Sequence, residues 1–265
     1  HAHPQANREC FHYLVDSLHA IGRPVLSWVA INHCVGLTED HPEWRMQPIP
    51  DSQGHRTESD GDYYVCVNSP YGERLPEFCR EIIRELRFDG IWFDGSSLSA
   101  NNNTVPGCVC VFCRQRFRAE TGRELPARVD WQSETFRVWV NWRYDRLMAV
   151  WKTCLDAIQS ENPAATVCFN NYRRVRHAGL AWGTGIPLRK LGWDALMSGE
   201  LDLQVFHADF QMKMHRMYGC ARGQDTWLAL CDHWQMWVPD VELMPIRQAA
   251  IGAASAGGVL WMGTG

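Results

Sequence analysis

The run Phe88-Asp89-Gly90-Ile91-Trp92-Phe93-Asp94-Gly95 constrains this chain more than any other stretch. A charged helical segment, Glu81 to Arg87, leads into it, and a polar loop, Ser96 to Thr104, follows it. A short apolar run between a helix and a polar loop reads as a buried parallel strand. In an α/β barrel the loops that follow the strands carry the chemistry, so an acid ending such a strand is a candidate catalytic residue. Asp94 holds that position. The plainer reading is an aspartate that caps the next helix or opens a turn.

The same order of strand, loop and helix recurs along the chain. Phe11, Leu14, Val15 and Leu18 form one stripe of a helix over 7–21, stopped by Gly22. Strands are expected at Val25–Ile31, Tyr63–Val67, 90–94, Thr166–Asn170, Ala195–Ser198, Thr226–Cys231 and Val259–Met262. Helices are expected over about 73–87, 131–160, 203–218 and 241–255, with a long polar loop at 36–61. Strands that alternate with helices imply a parallel sheet. The expected architecture is therefore a (β/α)8 TIM barrel, read as one domain over 1–265 that carries strands 2 to 8, the first strand lying before His1. A doubly wound open sheet competes, but no Gly-rich phosphate loop follows an early strand.

The totals narrow the class. A chain of 265 residues with 46% hydrophobic residues is ample for a large core. A net charge of -4 argues against a nucleic-acid partner, which calls for a basic face. No apolar run approaches a membrane span, and no basic segment leads into an apolar one at the N-terminus. Cys79, Cys154 and Cys168 sit singly in apolar surroundings, as buried free thiols do, which fits a reducing compartment and a cytoplasmic location. Thirteen tryptophans exceed ordinary core needs, and aromatic faces also suit the C–H faces of sugars.

Polar residues gather where strands end: His33, Asn68, Asp94, Asn170, Asn171, Glu200, Asp232 and His233. In a barrel these ends converge on one mouth. Asp94 and Glu200 then form the carboxyl pair of glycoside hydrolysis, one attacking the anomeric carbon and the other protonating the leaving oxygen. The plainer reading of Glu200 is a turn residue ahead of a helix N-terminus. Asp232 is a third acid, able to bond a hydroxyl or serve in Glu200's place. His33 and His233 can hydrogen-bond hydroxyls or tune a carboxylate. Asn170 and Asn171 carry donors and acceptors for hydroxyls, one of the two facing the ligand if the strand continues. Trp92 shares the strand parity of Asp94, and Trp234 is a stacking candidate beyond its strand.

Cys108, Cys110 and Cys113 lie too close in sequence to cross-link one another comfortably. Thiolates at that spacing suit tetrahedral zinc. Cys66 is the expected fourth ligand, with Cys34 and Cys79 in reserve. Four thiolates make a closed, structural site that would pin a loop of about 101–126 beside the active site. Free thiols in a loop are the alternative.

Cys66-Val67-Asn68-Ser69-Pro70-Tyr71, the Asp89–Gly95 strand, the Cys-x-Cys-x-x-Cys cluster, Phe117, Thr121-Gly122-x-Glu124-Leu125-Pro126, Asp130-Trp131 and Trp142-Arg143 follow one another in an order that resembles a family of hypothetical glycoside hydrolases. That family resembles the α-L-fucosidases, barrel enzymes with an aspartate nucleophile ending the fourth strand. The resemblance covers roughly 10–200. It implies a retaining α-L-fucosidase-like enzyme with Asp94 as nucleophile, and it reaches Glu200 only loosely. The cysteine spacing is similar to that of a β-galactosidase family with a trimer-forming middle domain, where one cysteine precedes Cys-x-Cys-x-x-Cys by some forty residues; here Cys108 follows Cys66 by 42. Those enzymes use glutamates after strands four and seven, where this chain offers Asp94 and Asp232, so their catalytic assignment does not transfer. A carbohydrate substrate, a structural zinc, no organic cofactor and room for a homo-oligomer complete the expectation. A metal-dependent amidohydrolase, suggested by His1-Ala-His3, lacks a surrounding strand. A non-catalytic, zinc-stiffened barrel that binds carbohydrate or assembles with partners is the other alternative.

Overall fold

The computed structural model of the protein describes residues 7–55, 64–94, 99–101, 105–170, 196–201, 227–231, 251 and 259–261. The chain divides into two compact units, the first built on His1–Val167 and the second from Cys168 onward.

The first unit opens with α1, Arg8–His19, capped by the Asn7 side chain, which accepts from Glu9 N at 2.9 Å. Gly22 follows at a φ of +70°, a conformation that favours glycine. β1 is Leu26–Ala30, α2 is Val35–Asp40, and a 3-10 turn covers Pro42–Trp44. α3, Pro70–Arg84, starts three residues earlier than its apolar stripe suggests. Ser69 caps it and Pro70 supplies the preset φ of a first turn. β2 is Gly90–Asp94, and a short antiparallel pair, β3 Ser99–Asn101 and β4 Val105–Pro106, follows. α4, Val111–Thr121, stops at Gly122 with φ +70°. α5, Glu134–Glu161, is capped by Ser133 Oγ, which accepts from Phe136 N at 3.3 Å.

β1 and β2 pair in parallel, with Trp28 opposite Trp92 and Ala30 opposite Asp94. Period-two alternation sorts their side chains into two faces. Val29, Ile91 and Phe93 are buried on one face, while Trp28, Trp92 and Asp94 lie on the more open one. Asp89 ties the start of the pair together. Its Oδ2 accepts from Val25 N at 2.7 Å and lies 2.8 Å from His19 Nε2. Gly90 admits no side chain, because a Cβ there would come within 2.0 Å of Thr166 O. α3 packs on α5 through Leu75, Cys79, Ile82 and Ile83 of the first and a broad buried face of the second that includes Leu147, Trp151, Cys154 and Ile158. Each such aliphatic residue contributes about 1.5–3 kcal/mol on burial.

β5, Thr166–Asn170, begins in the first unit and ends in the second. Within the second unit its later residues pair with β6, Leu196–Leu201, which pairs with β7, Trp227–Cys231, which pairs with β8, Val259–Trp261. All three pairings are parallel, as the alternation of elements implies. Among the described residues no helix is long and apolar enough to cross a membrane.

Six of the seven expected parallel strands are therefore present among the described residues. The expected strand at Tyr63–Val67 is not: Tyr64 and Val65 form single antiparallel bridges, to His33 and Arg45, and Val67 to Ser69 turn into α3. The expected loop at 36–61 holds α2 and the 3-10 turn, and the cysteine-rich stretch holds a hairpin and α4 rather than loop throughout. β6 continues through Glu200 instead of stopping at Ser198. The expected helices at 203–218 and 241–255 lie outside the described residues except for the helical residue 251.

Candidate functional site

The four sulfurs of Cys66, Cys108, Cys110 and Cys113 all lie within 4.8 Å of one another, and each residue is 0–1% exposed. They are free thiols, with Cys66 Sγ 3.4 Å from Cys113 Sγ. Tetrahedral zinc with Zn–S bonds near 2.3 Å needs sulfurs about 3.8 Å apart, so the cluster fits the ion.

Part of the stretch expected as polar loop assembles this cluster. Residues 44–48 lie between two strands of chain. On one side Met46 N donates to Tyr64 O at 2.8 Å and Cys66 N to Trp44 O at 2.8 Å, which places Cys66. On the other, Pro48 bridges Gly107 and Val109 N donates to Gln47 O at 2.9 Å, which places Cys108. Cys110 is the N-cap residue of α4, and Cys113 sits in its first turn, where the helix dipole favours a thiolate. Phe117 anchors that helix edge-on against Trp142 of α5, ring centroids 5.2 Å apart.

The surroundings supply donors for anionic sulfur. Gln47 N reaches Cys108 Sγ at 3.2 Å, Asn68 N reaches Cys66 Sγ at 3.4 Å, and Cys110 N reaches Cys108 Sγ at 3.4 Å. Asn68 Nδ2 donates to Cys113 Sγ at 3.3 Å while Arg146 Nε donates to Asn68 Oδ1 at 3.3 Å. Such outer contacts orient ligands and neutralise charge. Arg143, 1% exposed, adds a buried guanidinium stacked 4.4 Å over Trp139. Burial pushes Arg143 down to about 10, and the charges of Tyr144, Cys113 and Cys108 oppose that fall. Hydrogen bonding to Cys108 and Cys110, with burial, pushes Cys66 and Cys113 well above the ordinary thiol value, whereas bonding to Cys108 pulls Cys110 far below it. The bare cluster thus favours charge on Cys110 and protons on Cys66 and Cys113. A soft divalent cation displaces those protons. Held by four thiolates, such an ion would have no place left for an activated water, so its role would be structural.

The second candidate centre is the end of β2. Asp94 is half-buried on the open face of the β1–β2 pair. Its Oδ2 accepts from Trp28 Nε1 at 3.1 Å, and its backbone oxygen accepts from Ile31 N at 2.9 Å. Trp92 shares that face. His33 is exposed just beyond β1, its ring 5.3 Å from that of Tyr64. Asn68, expected among sugar-binding residues, is 6% exposed and bonded to the cysteine cluster. Asn170 ends β5, and Glu200 is next to last in β6, opposite Leu230 of β7. Asn171, Asp232, His233 and Trp234 lie outside the described residues. Trp28 escaped sequence reasoning, although it has the parity in β1 that Trp92 has in β2.

No protein-family model and no curated protein matches the chain. Solved structures do match in fold. The chain is similar to the PgaB glycoside hydrolase domain from Bordetella bronchiseptica at 13% identity and a TM-score of 0.64, covering 91% of this chain and 70% of that one. It is similar to the catalytic domain of β-amylase from Paenibacillus polymyxa at 9% identity and a TM-score of 0.67, covering 98% and 81%. It is similar to a GH42 β-galactosidase from G. stearothermophilus at 13% identity and a TM-score of 0.69, covering 97% of this chain and 43% of that one. At these identities the likeness concerns the fold alone, which this chain shares with those glycoside hydrolase structures.

Proposed function

We propose that the protein is a glycoside hydrolase that acts with retention, with Asp94 as nucleophile and Glu200 as general acid/base. The observation that carries this reading is the half-buried Asp94 carboxylate ending a parallel strand, beside two tryptophans on the open face of that strand pair. An acid at the C-terminal end of a barrel strand is where such enzymes keep their chemistry. In the first step a carboxylate oxygen of Asp94 attacks the anomeric carbon. The glycosidic C–O bond breaks, and the leaving oxygen takes its proton from Glu200. In the second step Glu200 removes a proton from water, which attacks the same carbon and releases Asp94. His33, Trp92, Asn170 and Asn171 are proposed contacts to sugar hydroxyls and faces, with Asp232, His233 and Trp234 from the strand end after β7. Asn68, expected from the sequence at the same mouth, is buried with its amide on the cysteine cluster and is not proposed as a sugar contact. The finer reading, an α-L-fucosidase-like specificity, is supported by sequence motifs rather than by the fold. Zinc is the proposed occupant of the four-cysteine cluster.

The experiment uses the full chain and a panel of activated aryl glycosides that includes α-L-fucosides and β-D-galactosides. Asp94→Asn is expected to lose turnover while keeping sugar binding. Asp94→Gly with added azide is expected to form a glycosyl azide of inverted configuration, the mark of a missing nucleophile. Wild-type turnover retained in Asp94→Asn sinks the assignment. Sugar binding without wild-type turnover on any panel member favours the non-catalytic barrel.

A further inference from the structure

β1 presents an indole where nothing in its own packing asks for one. Its neighbour Val29 is 6% exposed and belongs to the core, whereas Trp28 is 59% exposed on the opposite face. The parallel register sets Trp28 opposite Trp92, so the residue diagonal to it toward the strand ends is Asp94. A side chain as long as tryptophan spans such a diagonal. Trp28 Nε1 does so, donating to Asp94 Oδ2 at 3.1 Å. An indole N–H is a donor only, so this contact recognises an acceptor and suits an ionised carboxylate.

We propose that Trp28 is the positioning residue of Asp94: its N–H fixes the carboxylate, and its ring offers the face on which the bound sugar stacks. The proposal rests on the reading of Asp94 as nucleophile. Both functions come from one side chain because the two ends of an indole differ, one polar and one apolar. A carboxylate that must approach an anomeric carbon in line gains most from a fixed rotamer, since misplacement by about 1 Å can cost about a hundredfold in rate. A hydrogen bond from a rigid ring on the adjacent strand fixes it without adding positive charge beside the developing oxocarbenium ion. The exposure of Trp28 also means that its replacement leaves the core intact.

Two measurements on the full chain separate this proposal from the reading beneath it. In the first, the indole N–H resonance of Trp28 is identified in ¹⁵N-labelled protein by its absence from Trp28→Phe. Asp94→Asn is expected to move that resonance, and an unmoved resonance overturns the contact. In the second, Trp28→Phe keeps a stacking ring and loses the donor, whereas Trp28→Ala loses both. Trp28→Phe is expected to lower kcat on an aryl glycoside by about ten- to a hundredfold with KM nearly unchanged, and Trp28→Ala to lower kcat similarly and raise KM. A Trp28→Phe enzyme with wild-type kcat overturns the positioning role, and a Trp28→Ala enzyme with wild-type KM overturns the stacking role. If the resonance moves with Asp94→Asn but that variant still hydrolyses substrate, the contact stands and the nucleophile reading fails.

Discussion

Removing the proposed metal from the four-cysteine centre is the perturbation expected to reach furthest into the fold. Three separate stretches, residues 44–48, 64–68 and 107–113, meet there, joined otherwise by a few backbone bonds such as Met46 N to Tyr64 O and Val109 N to Gln47 O. A bound ion contributes folding free energy by mass action, about 4 kcal/mol when free metal is a thousandfold above its dissociation constant. For a chain of this size each kcal/mol moves the midpoint by about 2–4 °C, so chelation should lower Tm by about 10 °C. Elemental analysis of purified protein should find one zinc per chain, and circular dichroism melts with and without a strong chelator should show the shift. Cys66→Ser should melt near the chelated wild type and respond little to chelator. Hydrogen exchange should show 44–48 and 64–68 losing protection first, because Cys66 and the backbone bonds on either side of it would tie both to the proposed ion. A metal-free protein as purified, or a Tm that chelation leaves within about 1 °C, refutes the structural role. Loss of turnover with folding intact would refute it as well, since a closed thiolate site has no share in the chemistry.

Two further outcomes follow from the β1–β2 pair. Gly90→Ala should destabilise the protein by about 1–3 kcal/mol or more in urea unfolding, because the added methyl meets the Thr166 carbonyl oxygen 2.0 Å away, a backbone atom with little room to yield. Asp89 links stability to acid. Burial raises its pKa, but the His19 contact and the Val25 N–H outweigh that and leave it lowered. A carboxyl lowered in the folded state stabilises the protein above its unfolded value near 4, and that contribution disappears as pH falls through the folded value. Asp89→Asn should therefore cost about 1 kcal/mol at pH 7, a figure reduced by the group's 39% exposure, and should flatten the loss of stability between pH 5 and pH 3. Equal steepness in the two proteins would remove Asp89 from the linkage.

The helices and parallel strands were legible because their signal is local. The stripe of Phe136, Val140, Tyr144, Leu147 and Trp151 announces α5, and the apolar run before Asp94 announces β2. The spacing of Cys108, Cys110 and Cys113 announced a thiolate centre, but the choice of Cys66 over Cys34 and Cys79 as its fourth member needed the tertiary structure, which brings its sulfur to the other three. The start of α3 is written in Ser69-Pro70, a cap and a first-turn proline, which lie ahead of the apolar stripe.

What the sequence could not determine is pairing across the chain. Tyr64 and Val65 look like a strand because they are apolar and β-prone, but a strand requires a partner, and theirs are single residues of a turn and a polar stretch. The same distant pairing places Asn68 on sulfur and Trp28 against Asp94. Composition and periodicity fix what each segment prefers in isolation. Which hydrogen-bond donor meets which acceptor depends on how separate segments come to lie side by side, and only the tertiary structure decides that.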